Sequence, residues 1–344
     1  MRASHMQPGK LQQSALRVSD LVTVFDVGHA TLNAVSGVSF DINPGEIHGL
    51  VGESGSGKSI TAFSVMGLLE APGRIAGGSV ELNGRDIVGI SPEEKRKLRG
   101  RDISMVFQDP MMTLNPLLTI GAQMIDAVLV HNDVSRKEAR RQAAAMLGRM
   151  GIPSPEDRLD AYPHQFSGGM RQRVAIAIAL LNKPTVILAD ESTTALDVTI
   201  QAQILYEVRR LADDMGTAFL WITHDLSVVS GLADTISVMY MGRIVEQGET
   251  SVVLENPQHP YTRGLIDSLP SSNRRGEPLR QIKGTAPSLD ALPAGCAFAP
   301  RCPRVGPGCR ETMPDLRHAA GRSAVRCHYP LNTSQNDGEH RDHG

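Results

Sequence analysis

The chain has 344 residues, of which 41% are hydrophobic and 21% charged, with a formal net charge of -2. That is the make-up of a soluble globular chain with a sizeable core, and its charge balance excludes the basic footprint of a nucleic-acid binder. The longest apolar run, Val174 to Leu181, falls far short of the roughly 20 residues that cross a bilayer, and no signal-peptide pattern opens the chain.

In chain order, 1–14 is polar and is expected to be disordered. Leu16 to Phe25 and Ala34 to Ile42 read as strands, followed by the turn Asn43-Pro44-Gly45 and the short buried strand Glu46 to Val51. That strand runs into Gly52-Glu53-Ser54-Gly55-Ser56-Gly57-Lys58-Ser59, and a helix through Ile60 to about Leu69 should follow. The segment matches G-x-x-x-x-G-K-[ST] at every fixed position, with the strand before and helix after that the motif needs. Successive backbone N–H groups can wrap phosphates, glycines permit the close approach, and the helix N-terminus favours an anion. Lys58 then supplies a point charge to the β/γ-phosphates, and the Ser59 hydroxyl a ligand for Mg²⁺. A plain glycine-rich turn would not require the Lys-Ser pair.

Further strands are expected at Ser79 to Leu82 and Ile103 to Phe107, and the middle of the chain is expected to be helical. Ser135-Arg136-Lys137-Glu138 has the form of a capping box, and Ala139, Ala143, Met146, Leu147 and Met150 keep helical spacing behind it. Gly168 to Leu181 is a second helix. Strand Thr185 to Ala189, helix Thr199 to Ala212 and strand Ala218 to Ile222 alternate, before strands Thr235 to Tyr240 and Arg243 to Gln247. Such alternation implies an α/β fold with a parallel-rich sheet covered by helices on both faces. From Pro257 onward Pro, Gly, Ser and Arg rise. All four cysteines, Cys296, Cys302, Cys309 and Cys327, lie in this part, which marks a separate C-terminal module. Residues 331–344 read as a loose polar tail.

Strand Val186 to Ala189 ends in Asp190 and Glu191. Asp190 suits Mg²⁺ held through water, and Glu191 suits the orienting or deprotonation of an attacking water. Upstream stands Phe166-Ser167-Gly168-Gly169-Met170-Arg171-Gln172, and here the chain resembles the ABC ATPase superfamily with its LSGGQ signature. The resemblance implies a P-loop ATPase core with a β subdomain and a helical subdomain at about 109–181, within an ATPase domain of 15–256, plus a loop-rich cysteine extension over 257–330. It implies that Gln108 is the Q-loop glutamine at Mg²⁺, that Thr194-Ala195-Leu196-Asp197 is the D-loop, and that His224 is the switch histidine at the γ-phosphate. Phe25 is a candidate for stacking on adenine, with core packing as the alternative. Met170 stands where the signature usually has Gln, and Ser192 where Pro usually follows the catalytic Glu. The superfamily dimerises head to tail, so each ATP lies between one phosphate loop and the other chain's Ser167, Gly168 and Gly169.

Gln108 to Pro116 and Asn256-Pro257-Gln258-His259-Pro260-Tyr261-Thr262 resemble the ATPase subunits of oligopeptide/dipeptide importers, with a helix expected over Thr262 to Leu269. This implies a bacterial assembly of two permeases, two related ATPases and an extracytoplasmic solute-binding protein, with this chain on the cytoplasmic face of the inner membrane. Peptide is the default solute; nickel, opines, glutathione and short sugars occur in the same group. A non-transport ABC protein would carry coiled-coil insertions or tandem cassettes, and neither is visible. The apolar residues Met111, Met112, Leu114, Leu117 and Leu118 are either a permease-docking surface or subdomain core. The cysteine spacing C-x₅-C-x₆-C-x₁₇-C leaves three readings: a [4Fe-4S] cluster, which the resemblance favours, Zn²⁺, or no metal. Zinc sites often use tighter C-x₂₋₄-C knuckles.

Overall fold

The computed structural model describes residues 13–193, 196–273, 278, 280–318 and 323–331. The expected disorder of 1–14 and of 331–344 falls almost wholly outside them. Among the described residues the strands are β1 (Leu16–Val27), β2 (Ala30–Ile42), β3 (Ile47–Val51), β4 (Gly73–Leu82), β5 (Arg85–Asp86), β6 (Ile103–Val106), β7 (Val186–Asp190), β8 (Ala218–Thr223), β9 (Thr235–Tyr240), β10 (Arg243–Glu249), β11 (Arg317–His318) and β12 (Ser323–Val325). The helices are α1 (Lys58–Met66), α2 (Pro92–Leu98), α3 (Ile120–Leu129), α4 (Arg136–Arg149), α5 (Pro155–Arg158), α6 (Gly168–Leu180), α7 (Val198–Met215), α8 (Leu226–Leu232), α9 (Thr250–Glu255) and α10 (Pro260–Asp267).

Two sheets result. An antiparallel sheet has the order β2-β1-β4-β5, and a larger one the order β11-β12-β10-β9-β3-β8-β7-β6. Strands β9, β3, β8, β7 and β6 run parallel, and β10, β12 and β11 continue the sheet antiparallel. Every residue of β3, β6, β7 and β8 is buried, as expected of parallel strands covered on both faces. Alternate residues of β8 serve different layers: Phe219 and Trp221 pack with the helical layer of α3, α4, α6 and α7, while Leu220 and Ile222 pack with α1 and the antiparallel sheet.

The boundaries differ from the expected ones for local reasons. Helix α1 stops at Met66 because Gly67 turns left-handed at φ 62°. Helix α7 runs on to Met215, where Gly216 does the same at φ 69°. Strand β4 begins at Gly73, six residues before the expected start, because pairing with β1 overrides the weak strand preference of Gly-Arg-Ile-Ala-Gly-Gly. The capping box at Ser135 is half made. The Ser135 hydroxyl accepts the Glu138 N–H at 3.2 Å, but the Glu138 carboxylate turns to Arg141 and Gln142. The complete box is at Ser91 and Glu94, which cap α2.

The cysteine-bearing segment packs onto the main sheet. Strand β12 pairs with β10, Val325 opposite Glu246, and so extends the main sheet. A third apolar cluster joins Tyr240 and Val245 of the sheet to Tyr261 and Phe298 of the extension. Helix α10 begins at Pro260, two residues before the expected start, since the His259 ring nitrogen Nδ1 accepts the Tyr261 N–H at 3.0 Å and Pro260 needs no partner in the first turn.

Candidate nucleotide site

The phosphate loop joins β3 to α1. Gly57 stands at the helix N-terminus with φ 103°, and a Cβ there would meet the Ala34 carbonyl oxygen at 2.7 Å. Gly55, at φ 78°, has open space around it, so its glycine serves backbone conformation alone. Lys58 is buried, and its ammonium donates to the carbonyls of Gly52 (2.8 Å) and Glu53 (2.9 Å) and to the Ser56 hydroxyl (3.4 Å). Burial pulls the Lys58 pKa down, while Glu191, Asp190 and Glu53 oppose that shift. The loop borders a cleft of about 260 Å³ whose lining includes Ser54, Gly55, Lys58, Ser59, Ile60 and Glu191, together with Ala34 and Leu289.

Strand β7 ends in Asp190, and Glu191, the next residue, lines this cleft. The Ser59 hydroxyl donates to Asp190 at 3.1 Å. Burial raises the Asp190 pKa, and the charge of Glu191 adds to that, against the Ser59 hydrogen bond and Lys58. Glu191 holds φ 44°, unusual for a residue with a side chain, while its N–H donates to the Ile222 carbonyl at 2.9 Å. Its carboxylate accepts from the Gln108 amide at 3.3 Å and meets His224 Nδ1 at 3.1 Å. Lys58, Ser59 and Glu191 therefore line the cleft, and hydrogen bonds tie Asp190 to Ser59 and both Gln108 and His224 to Glu191. A left-handed backbone at a carboxylate residue is the kind of local strain that surrounding structure must hold in place.

The signature lies elsewhere. Ser167 and Gly168 are exposed at the start of α6, and the Ser167 hydroxyl accepts the Met170 N–H at 3.3 Å. Gly169 is dictated by packing, because a Cβ there would stand 2.6 Å from Ile200 of α7. None of the three lines the cleft of its own chain. Asp197 caps α7 by accepting the Ile200 N–H at 2.9 Å; Thr194 and Ala195 of the D-loop lie outside the described residues. Phe25 is half-buried in β1, and its ring covers Gly73, where a Cβ would stand 2.8 Å away. It does not line the cleft. Of the proposed docking residues, Leu114 is core, while Met112 (76%) and Leu117 (82%) are well exposed. Ser192 is buried, and its hydroxyl has no hydrogen-bond partner among the described residues.

The four cysteines are all free. The Cys296 N–H donates to the Cys309 carbonyl at 2.8 Å. Burial raises the thiol pKa of Cys296, Cys302 and Cys327, the last to about 11, and each thiol also feels charge on others of the set. Their chemistry and number suit a four-thiolate site, yet among the described residues no group of three or more His, Cys, Asp or Glu stands ready to hold a metal ion. Sequence reasoning missed the residues of the extension that reach the loop: Tyr261, Leu289 and Arg301. Tyr261 lies in the His-Pro-Tyr-Thr stretch, which was a visible signal; for Arg301 there was none.

Fold and site together define an ABC-type ATPase cassette. Residues 35–194 match the ABC transporter family, and residues 245–309 match the oligopeptide/dipeptide transporter C-terminal region. The chain is 46% identical to the oligopeptide transport ATP-binding protein AppD of Bacillus subtilis, over 91% of this chain and 95% of that protein. It is also 46% identical to the oligopeptide transport ATP-binding protein OppD of Escherichia coli, over 89% and 91%. To the dipeptide transport ATP-binding protein DppD of Bacillus subtilis it is 45% identical, over 92% and 94%. Among solved structures, a dimeric ATP-binding cassette in a post-hydrolysis state, bound to ADP and Pi, superposes with a TM-score of 0.62 at 27% identity, covering 68% of this chain and 98% of that one. The chain belongs to the ATP-binding subunits of oligopeptide/dipeptide ABC transporters. No helix among the described residues is long and apolar enough to cross a membrane.

Proposed function

We propose that this chain hydrolyses ATP to power the import of peptides through a membrane permease pair. The observation that carries the reading is that Lys58, Ser59 and Glu191 line the cleft beside the phosphate loop, with Asp190 bonded to Ser59 and both Gln108 and His224 bonded to Glu191. The loop amides and Lys58 hold the phosphates of ATP. Glu191 accepts a proton from the attacking water, and His224 and Gln108 set the direction of its carboxylate. Ser59, Asp190 and Gln108 offer the hard oxygen donors that Mg²⁺ takes, and the ion when bound neutralises phosphate charge. The Ser167-Gly168-Gly169 helix start, exposed at Ser167 and Gly168, supplies the other half of the site to a second ATPase subunit, since it does not line its own cleft. Closing that dimer excludes water, and opening releases products.

The ATPase domain is assigned to 15–256, with helical subdomain 109–181, and the extension to 257–330. The permeases dock beside the exposed Met112 and Leu117, which follow Gln108, on the cytoplasmic face of a bacterial inner membrane; a solute-binding protein outside selects the peptide. Drawn together, the four cysteines would hold a [4Fe-4S] cluster, with Zn²⁺ the alternative, and so pin the loop-rich extension.

The test is Mg²⁺-dependent ATPase activity of the assembled transporter. Glu191→Gln keeps the side chain's shape but cannot accept the proton, so turnover should fall about 10²-fold or more while nucleotide binding persists. Wild-type turnover in this variant would remove Glu191 from the role assigned to it.

A further inference from the structure

The phosphate loop is gripped from outside the ATPase core. The Glu53 N–H donates to the Tyr261 hydroxyl at 2.8 Å. The Glu53 carboxylate accepts both ends of the Arg301 guanidinium, Nη1 to Oε2 at 2.6 Å and Nη2 to Oε1 at 3.0 Å. Both partners come from the extension, 208 and 248 residues along the chain from Glu53. Neither is a surface contact: Tyr261 is fully buried, and the Arg301 side chain is 5% exposed.

Arg301 is itself held on several sides. Its Nε donates to the Lys283 carbonyl at 3.2 Å, and Nη1 also reaches the Tyr240 hydroxyl at 3.3 Å. The guanidinium carbon lies 5.9 Å from the ring centres of both Tyr240 and Phe298. Tyr261 packs against those same two rings. A planar fork fixed by stacking and by a second set of acceptors can hold a carboxylate in one orientation, which a lysine cannot do. The grip passes to the centre of the site in one further step, because the Glu53 carbonyl accepts the Lys58 ammonium at 2.9 Å.

We propose that Arg301 and Tyr261 are positioning residues for ATP binding, so that the extension is a working part of the nucleotide site. This rests on the nucleotide reading above. A phosphate loop binds through several backbone amides at once, and any freedom it retains must be lost when the ligand arrives. Glu53 is the first residue after Gly52 and sits where that freedom would begin. With its amide and carboxylate both tied to the extension, the loop is ordered before the nucleotide enters. The contribution is to affinity. The water-activating group, Glu191, follows β7 and is held by Gln108 and His224, so the chemical step keeps its geometry.

The test is the binding of a fluorescent ATP analogue to the full chain, together with kcat and KM for ATP in the assembled transporter. Arg301→Met should weaken binding about tenfold and raise KM by a similar factor, with kcat within about twofold of wild type. Arg301→Lys should recover only part of the loss. Tyr261→Phe removes one hydroxyl and nothing else, and should weaken binding about threefold, which keeps the proposal testable if Arg301→Met does not fold. In a double-mutant cycle, Glu53→Gln should weaken binding less on the Arg301→Lys background than on wild type. Binding within twofold of wild type in both Arg301→Lys and Tyr261→Phe would overturn the proposal, as would a loss confined to kcat. A wild-type chain that binds no ATP analogue would instead remove the nucleotide reading itself.

Discussion

Adding one methyl group to Gly52 separates steric from conformational demand in the phosphate loop. A Cβ at Gly52 would stand 2.2 Å from the Met239 carbonyl oxygen, 2.9 Å from the Ser56 hydroxyl and 3.2 Å from the Met239 carbonyl carbon. Two of these contacts are with the backbone of β9, a buried strand between β3 and β10, so no side chain can swing aside. The methyl must retreat by about 0.8 Å to reach even a 3.0 Å contact, and it takes the loop with it. Forced overpacking of this kind costs about 1–3 kcal/mol. The same movement strains the bond from Lys58 to the Gly52 carbonyl, now 2.8 Å, and a charge-assisted bond adds about 1.5 kcal/mol. Gly52→Ala should therefore destabilise the chain by about 3 kcal/mol and also displace Lys58 from the cleft. Gly55→Ala is the control. Nothing lies within 4 Å of its added Cβ, and its φ of 78° leaves only the left-handed penalty of about 1 kcal/mol. Urea unfolding of the full chain, with ATP-analogue binding measured beside it, reads both numbers. Gly52→Ala as stable as Gly55→Ala, with equal nucleotide affinity, would refute the steric argument.

Burial lowers the pKa of His48 to about 4 and that of His259 to about 3. Both are neutral in the folded chain, so unfolded chains take up protons first as pH falls below the free histidine value. Stability is then lost progressively from near pH 6.5 toward those two values, at up to about 1.4 kcal/mol per pH unit for each group. His48→Gln should flatten that acid limb in urea titrations at several pH values; an unchanged slope would exclude His48 as a cause. Ser192→Ala removes a buried hydroxyl without a partner and should stabilise the chain by about 1 kcal/mol, and a clear loss of stability would show that Ser192 has an unseen role. Anaerobically purified protein should be brown and carry about four irons per chain; colourless protein with stoichiometric zinc sinks the iron assignment, and four alkylatable thiols without metal sink both.

The candidate reacting groups could be named one by one from the sequence because each chemical task restricts residue type within a short segment. A phosphate loop needs Gly57-Lys58-Ser59 between a strand and a helix, and a water-activating acid needs the end of an apolar strand such as Val186 to Ala189. The parallel strands were legible for the same reason, as mostly apolar runs of four to six residues. Pairing across long stretches of chain left no such local trace. Strand β4 is rich in glycine and extended only because β1 lies beside it, and β12 is three residues long and exists because β10 offers an open edge. The contacts of Glu53 with Tyr261 and Arg301 belong to this second kind. The amino-acid order alone determined which chemistry this protein can carry. Only the tertiary structure decided that the extension grips the phosphate loop and that the signature lies outside the lining of its own cleft, because both depend on which surfaces pack when the sheet closes.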